Sequence, residues 1–447
     1  MRSIISIVAF VGVGCGAGSS DLIQDVEWER TQVGTVIGVN WRLTEEAETW
    51  IEFGPAPDCN TLRTPASNAL ENQELLLGLA PVTESCFVIK AALGDEVLST
   101  EPERFRTENV PSSVEFMEVE SMDPSAYDEG FWVGSNPSGP PMVHVINRKG
   151  ETVWWHVGSD NAVIPQVTLA PNGEGLFFNE FHRNFAIDNS RVVWMGFDGT
   201  IKAEFDTSFG HHSYAWLPDG RLAYLAIDVR ETTEFGPVVG DAILVTDGEE
   251  IEEIYSTWDD EHILLEEHDQ WGTNFYPQGA DWTHANFLSF NEDRNSFTVS
   301  FANAEAIVEV DAETGEHLRS VGQAGTHDIE EGLLGRPHAA EWTEEGTLLA
   351  FTTPKGTRES RGVELAFDDQ NLQTDVLWSY GEGLHYNTII MGAVRHLDNG
   401  NTLMNFGSKG ILEEINPENE VVWKAYTATG QFPGHFSFVP NLYGQDL

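Results

Sequence analysis

An internal repeat constrains this chain more than any other feature. From about residue 115 onward, six segments each carry apolar runs joined through a turn of the kind Asp/Asn-x-x-Gly/Glu. They run over 142–155, 192–203, 243–255, 307–321, 363–378 and 411–423. Complementary turns lie between them: Pro171-Asn172-Gly173, Pro218-Asp219-Gly220, Asn291 to Arg294, Glu344-Glu345-Gly346 and Asp398-Asn399-Gly400. These turns follow one another at about 47 to 73 residues, which suits four-stranded blades with loop insertions. Almost no window has the 3.6-residue period of a helix. The expectation is an all-β chain whose residues 115–447 form a six-bladed β-propeller.

In a propeller, register becomes position. The innermost strand of each blade starts near the central axis, so a residue just before it faces the mouth of the channel. His212 and His338 each lie seven residues before an acidic turn residue, Asp219 and Glu345, and His284 lies seven before Asn291. In two other units Pro165 and Gly392 hold that register. A lone histidine there reads as a satisfied core residue, and a packing requirement would recur in every unit. Three of one kind at one register predict a shared site on the axis.

Upstream of the repeat, short strands with turn signals about every ten residues predict a β-sandwich over residues 22–108. Its strands are expected at 36–42, 49–53, 75–81 and 86–92, and Val110-Pro111-Ser112-Ser113 reads as the linker that follows. The first fifteen residues place Arg2 before an apolar run too short to span a bilayer, the pattern of a secretory signal peptide. Gly14-Cys15 and the small residues to Ser20 look like a bacterial lipoprotein box and tether over residues 1–21. This predicts an exported protein, periplasmic or at the cell surface, attached to a membrane through a lipid on Cys15 or released by plain export. Cys59 and Cys86 then remain as a pair inside one small domain, and in an exported protein such a pair predicts a disulfide.

Only 23 of 447 residues are Lys or Arg, and the formal net charge is −50. No basic stripe exists to neutralise phosphates, so nucleic acid is excluded as a partner and anionic lipid surfaces are repelled. The acidic runs 247–253 and 259–268 lack the alternating oxygen-ligand pattern of a calcium loop and read as a solvated face.

Two resemblances add to this. Trp41, Ile51-Glu52-Phe53-Gly54, Leu77-Gly78-Leu79-Ala80-Pro81 and Phe87-Val88-Ile89 resemble a fibronectin type III domain, which implies a spacer or scaffold. Over about residues 115 to 430 the repeat resembles the bacterial arylsulfate sulfotransferase family. The match is carried by Asp281-Trp282-Thr283-His284-Ala285-Asn286, by His211-His212 with Leu217-Pro218-Asp219-Gly220, and by Arg336-Pro337-His338. The run 306–315 and Gly392-Ala393-Val394-Arg395-His396 extend it. That family is a periplasmic six-bladed propeller that moves a sulfuryl group from a phenolic sulfate ester to another phenol, without a nucleotide donor and with no cofactor. The resemblance implies His338 as the nucleophile that carries a sulfohistidine, His284 as acid and base on the phenol oxygen, and His212 and Asn286 on the sulfuryl oxygens. His211 belongs to the same substrate-binding group. The partners implied are a small aromatic sulfate donor and a phenolic acceptor. Where the family carries an arginine in a Ser-x-Arg run, this chain has Ser300-Phe301-Ala302; Ala339 follows His338 where the family has Asp, and Thr352-Thr353 stand for Asp-Asn. An anionic ester entering this acidic protein needs a local positive field, for which Arg336 and Arg395 are the candidates.

Two other readings fit the same residues. Three histidines around one axis are the ligand set of many catalytic zinc sites, with Asp281 as an added ligand; tight, near-stoichiometric metal in the purified protein would favour that reading. A non-catalytic propeller binding aromatic or glycan ligands would use Trp154-Trp155 and the stretch Trp271 to Tyr276. It would bind such ligands without turnover.

Overall fold

The computed structural model describes residues 22–114, 117–137, 139–265, 275–323, 325–354, 356–428 and 430–444. The leader with Cys15, and Trp271 to Asn274, lie outside the described residues.

The chain is all-β. Among the described residues, six sheets of four or five strands, antiparallel but for the short parallel strand Ala280–Asp281 in blade 3, make a β-propeller, and two further sheets make the N-terminal sandwich. In the order of the chain, the innermost strands of blades 2 to 6 are Val167–Leu169, Gly210–Trp216, Ala285–Asn291, His338–Trp342 and Ala393–His396. Blade 1 takes its innermost strand from the other end of the chain: Ser437–Val439 pairs antiparallel with Phe131–Asn136. At the rim, Met117–Met122 pairs with the fourth strand of blade 6, Val421–Thr427. Both ends of the repeat are therefore bonded into the ring.

Strand and turn chemistry follow the repeat. Strands such as Ser296–Phe301 and Ala306–Asp311 are buried on both faces because each blade is covered by its neighbours. The turns between strands are set by side chains that mimic a backbone acceptor: Asp311 Oδ1 accepts the N–H groups of Glu313 and Thr314 at 3.0 and 2.8 Å.

The sandwich packs Ile23–Arg30, Ile37–Leu43 and Glu71–Leu76 against a five-stranded sheet built on Glu48–Pro55 and Glu84–Leu93. Trp41, Ile51, Phe53, Phe87 and Ile89 fill its core. Cys59 and Cys86 are joined by a disulfide, with Cα atoms 5.1 Å apart. The strand expected at 75–81 ends at Leu76; from Leu77 the chain turns onto the propeller instead. Val33, Val36 and Leu77 are buried with Phe131, Val153 and Trp154 of the first blades. Tyr443, just past the closing strand, donates its hydroxyl to Leu75 O at 2.8 Å.

Candidate active site

The histidine-bearing inner strands are irregular where the site lies. Blades 3, 4 and 5 each break register at the start of the innermost strand, between His211 and Tyr214, Ala285 and Phe287, and His338 and Glu341. The backbone there enters the left-handed region, with φ of 47° at His212, 52° at His284 and 49° at Ala339. For residues with a Cβ this costs about 1–2 kcal/mol each. Bulges re-aim side chains that a regular pleat would send into the sheet. Here they turn the imidazoles toward the axis.

The rings meet. His212 and His284 stand edge to face with centroids 5.1 Å apart. Any proton on His338 would repel one on His212 or on His284. Phe275 lies 4.8 Å from the His284 ring and 5.6 Å from that of His212, and Phe185 stacks behind it at 4.9 Å. The site thus has imidazoles on the axis and an aromatic wall beside them.

Each histidine has a different partner, and the partners set their chemistry. His338 Nδ1 lies 3.0 Å from the carbonyl of Arg336. A carbonyl only accepts, so Nδ1 carries the hydrogen and Nε2 keeps its lone pair. Burial pushes the His338 pKa down to about 3, with His435, Arg336 and His284 adding to the effect, although the bond to Arg336 O works the other way. The ring is neutral across the physiological range. His284 is the opposite case. Burial disfavours its charged form, but the Asp281 carboxylate, 2.7 Å from Nδ1, lifts its pKa above the ordinary histidine value. His212 is held well below that value, first by burial and then by its neighbouring histidines.

His211 sits behind this group. Its Nε2 is 3.1 Å from Asp241 Oδ1, and its Nδ1 is 2.9 Å from His212 Nδ1. Burial alone would raise the Asp241 carboxyl. Bonds from His211, from the Thr283 hydroxyl and from Ala285 N–H hold it below its usual range. Asp241 therefore ties blade 3 to the His284 strand and orients the His211–His212 pair. Nothing in the turn pattern marked it, because it sits mid-strand after Gly240. Asn286 donates to Pro337 O at 3.0 Å and so joins blade 4 to the residue before His338.

The two arginines part company. Arg336 is next to the site, with φ of 46°, and its charge depresses both His284 and His338. Arg395 lies farther along its inner strand and pairs with Glu341 of blade 5 at 3.3 Å. Ala302 is buried and its N–H bonds to His284 O at 3.0 Å, so a methyl group stands at the end of the strand beside the His284 backbone.

The remaining blades explain their own lack of a histidine. A Cβ on Gly392 would lie 2.3 Å from the Phe351 ring, so blade 6 has no room for a side chain there. In blade 2, Gln166 knits to blade 3 through Tyr214 N, Tyr214 O and the Ser213 hydroxyl. Blade 1 does bring a histidine. His435, two residues before the closing strand, is 4% exposed and stacks 4.6 Å from Phe287. Reading the repeat as a series that starts near residue 115 misses it, because its blade begins at the opposite end of the chain. The available signal was Val439-Pro440-Asn441, which matches Ala170-Pro171-Asn172 and puts His435 level with Gln166.

Trp154 is core, its indole N–H bonded to Phe197 O at 2.9 Å, and Tyr276 is buried, whereas Phe275 is 40% exposed at the site. Among the described residues no group of three or more His, Cys, Asp or Glu side chains has the geometry of a metal site.

Solved structures similar to this chain include a protein of unknown function from Bacteroides caccae, at 15% identity and a TM-score of 0.46, covering 70% of this chain and 99% of that one. A streptogramin B lyase is similar at 12% identity and a TM-score of 0.40, covering 71% of this chain and 90% of that one. No curated protein matches the chain. The family model for arylsulfotransferase (ASST) matches residues 117–319, which take in His211, His212, His284 and Asn286 and end before Arg336 and His338. The match runs from the rim strand of blade 6 into the last strand of blade 4, and over residues 117–319 the propeller is similar to the arylsulfotransferase family.

Proposed function

We propose that the axial site transfers a sulfuryl group from an aryl sulfate ester to a phenol by way of a sulfohistidine on His338. The observation that carries this reading is the state of His338: a neutral ring whose Nδ1 is tied to its own chain, leaving Nε2 as a lone-pair nitrogen beside a histidine of raised pKa. In the first step Nε2 attacks sulfur and the S–O bond to the aryl group breaks. The phenoxide leaves with the proton of the His284 imidazolium. In the second step His284 takes the proton of the acceptor phenol, whose oxygen attacks sulfur, and the N–S bond breaks to restore His338. Asp281 keeps His284 oriented and favours its charged form.

His212 and the second amide hydrogen of Asn286 contact the sulfuryl oxygens, where charge collects in the transition state. His211 acts through His212, as a positioning residue between it and Asp241. Arg336 provides the positive charge near sulfur that Ala302 cannot; Arg395 is already neutralised by Glu341. Phe275 and Phe185 hold the aromatic ring. The leader sequence supports export, with Cys15 as the lipid attachment point. Metabolic labelling with a fatty acid, lost in a Cys15→Ser variant, tests that attachment.

The decisive assay incubates the purified protein with a chromogenic aryl sulfate, with and without phenol. Phenol-dependent release is expected from the wild type and not from His338→Ala. No release from folded wild-type protein across a range of salt concentrations overturns the reading for this donor class.

A further inference from the structure

We propose that His435, delivered by the ring-closing strand, belongs to the same site and donates a ring N–H to an oxygen of the bound sulfate group. The proposal rests on the reading of the site as one that takes a sulfate ester.

The backbone around His435 is built to hold one position. Its N–H bonds to Pro165 O of blade 2 at 2.8 Å, and the Gly434 N–H bonds to Ser135 O of blade 1 at 2.8 Å. From blade 6, Asn405 Nδ2 donates to Gly434 O at 2.8 Å. Only glycine fits before it: a Cβ on Gly434 would sit 2.3 Å from the Ser135 hydroxyl and 2.4 Å from Pro165 O. Three blades with no histidine at the register of His212, His284 and His338 thus clamp the segment that brings one. Phe287, from the His284 strand, supports the ring from one side.

The ring itself is short of partners. It is 4% exposed, and neither nitrogen makes a well-formed hydrogen bond among the described residues. The Asn286 backbone is near enough to favour the protonated ring, though not aligned as a good acceptor. An unmet buried polar group is destabilising, and a ligand at the axis removes that cost. His435 stands close enough to His338 and His212 for charge on any one ring to oppose charge on the others. A neutral imidazole has one donor and one acceptor, and a sulfate ester offers acceptors only. The contact is therefore N–H to oxygen, the kind of donor that Ala302 does not provide.

Inorganic sulfate binding to the full protein, followed by calorimetry at pH 7, tests this without turnover. His435→Phe keeps a flat ring and loses the donor; it is expected to weaken sulfate about tenfold to a hundredfold. His435→Gln restores an N–H and is expected to bind within about threefold of wild type. Equal affinity in wild type and His435→Phe overturns the proposal, as does a wild type that binds no sulfate. If His435→Phe does not fold, ring nitrogen resonances of the wild type replace it: movement of the His435 signal on adding sulfate supports the contact, and a fixed signal refutes it. Sulfate binding that depends on the residue 435 donor, in a protein that releases nothing from aryl sulfates, would overturn the transfer reading and leave this one standing.

Discussion

At the rim of the propeller, the turn joining the third and fourth strands is capped in every blade by an Asp or Asn. Asn147, Asp198, Asp247, Asp311, Asp368 and Asn416 each accept the backbone N–H two residues on. Each of these hairpins also shifts register by a bulge. At the axis the blades differ. The inner strand is bulged in blades 3, 4 and 5 and regular in blades 1, 2 and 6. A device used six times serves closure of the ring. A device used three times, carrying left-handed residues and a histidine each time, serves something the ring does not need.

If that division is correct, substitutions at the axis cost activity and those at the rim cost stability. The largest effect is expected from His338→Ala, with aryl sulfate turnover lost by at least about a thousandfold while the thermal midpoint stays close to wild type. A midpoint collapse alongside the loss would move His338 to the structural side. His284→Ala should lose about 10²- to 10⁴-fold in kcat, the usual worth of a positioned acid and base.

The charge state of His284 sharpens this further. Its pKa is raised, so its proton is present near neutrality and is lost as pH rises through the folded-state value. Activity is therefore expected to fall on the alkaline side. Asp281→Asn removes the charge that holds the value up and should move that limb to lower pH. A pH–rate profile with an unmoved limb would assign it to another group.

His338 and His435 have the opposite sign. Burial keeps them neutral in the folded chain, with values of about 3 and about 4, while the unfolded chain protonates them near pH 6.5. The unfolded state then binds more protons, so stability drops as pH falls below about 6.5, by about 1.4 kcal/mol per pH unit for each ring. The drop continues until the folded-state values are reached. Comparing denaturant titrations at pH 7 and pH 5, His338→Gln or His435→Gln should each lose about 2 kcal/mol less than wild type. An identical loss would mean that the ring is solvated or charged in the folded protein. The smallest effect belongs to the rim: Asp311→Ala should cost about 1 kcal/mol and leave turnover unchanged.

Much of this division was legible in the chain. Turn residues act locally, through a side chain reaching a backbone group two positions away, so Asn147 or Asp311 announces a hairpin wherever it stands. The shared register of His212, His284 and His338 was visible because a repeat converts sequence spacing into angular position around an axis. The pairing of Cys59 with Cys86 followed from their isolation in one small domain. Bulges were not legible, since nothing in His211-His212-Ser213-Tyr214 states which residue leaves the ladder; the pairing partner in the next strand decides that.

What the sequence by itself determined is the all-β class, the period of the repeat and the identity of the side chains able to do chemistry. The tertiary structure alone decided which of them meet. Closing the ring with Ser437–Val439 put His435 among histidines about 100 to 220 residues earlier in the chain. Interblade contacts paired Arg395 with Glu341 and left Arg336 as the site's neighbouring cation. Burial, which no residue carries in its own formula, lowered His338 and left Asp281 to raise His284. Proton affinity depends on dielectric and on charges a few ångströms away, and those distances exist only once the blades have closed.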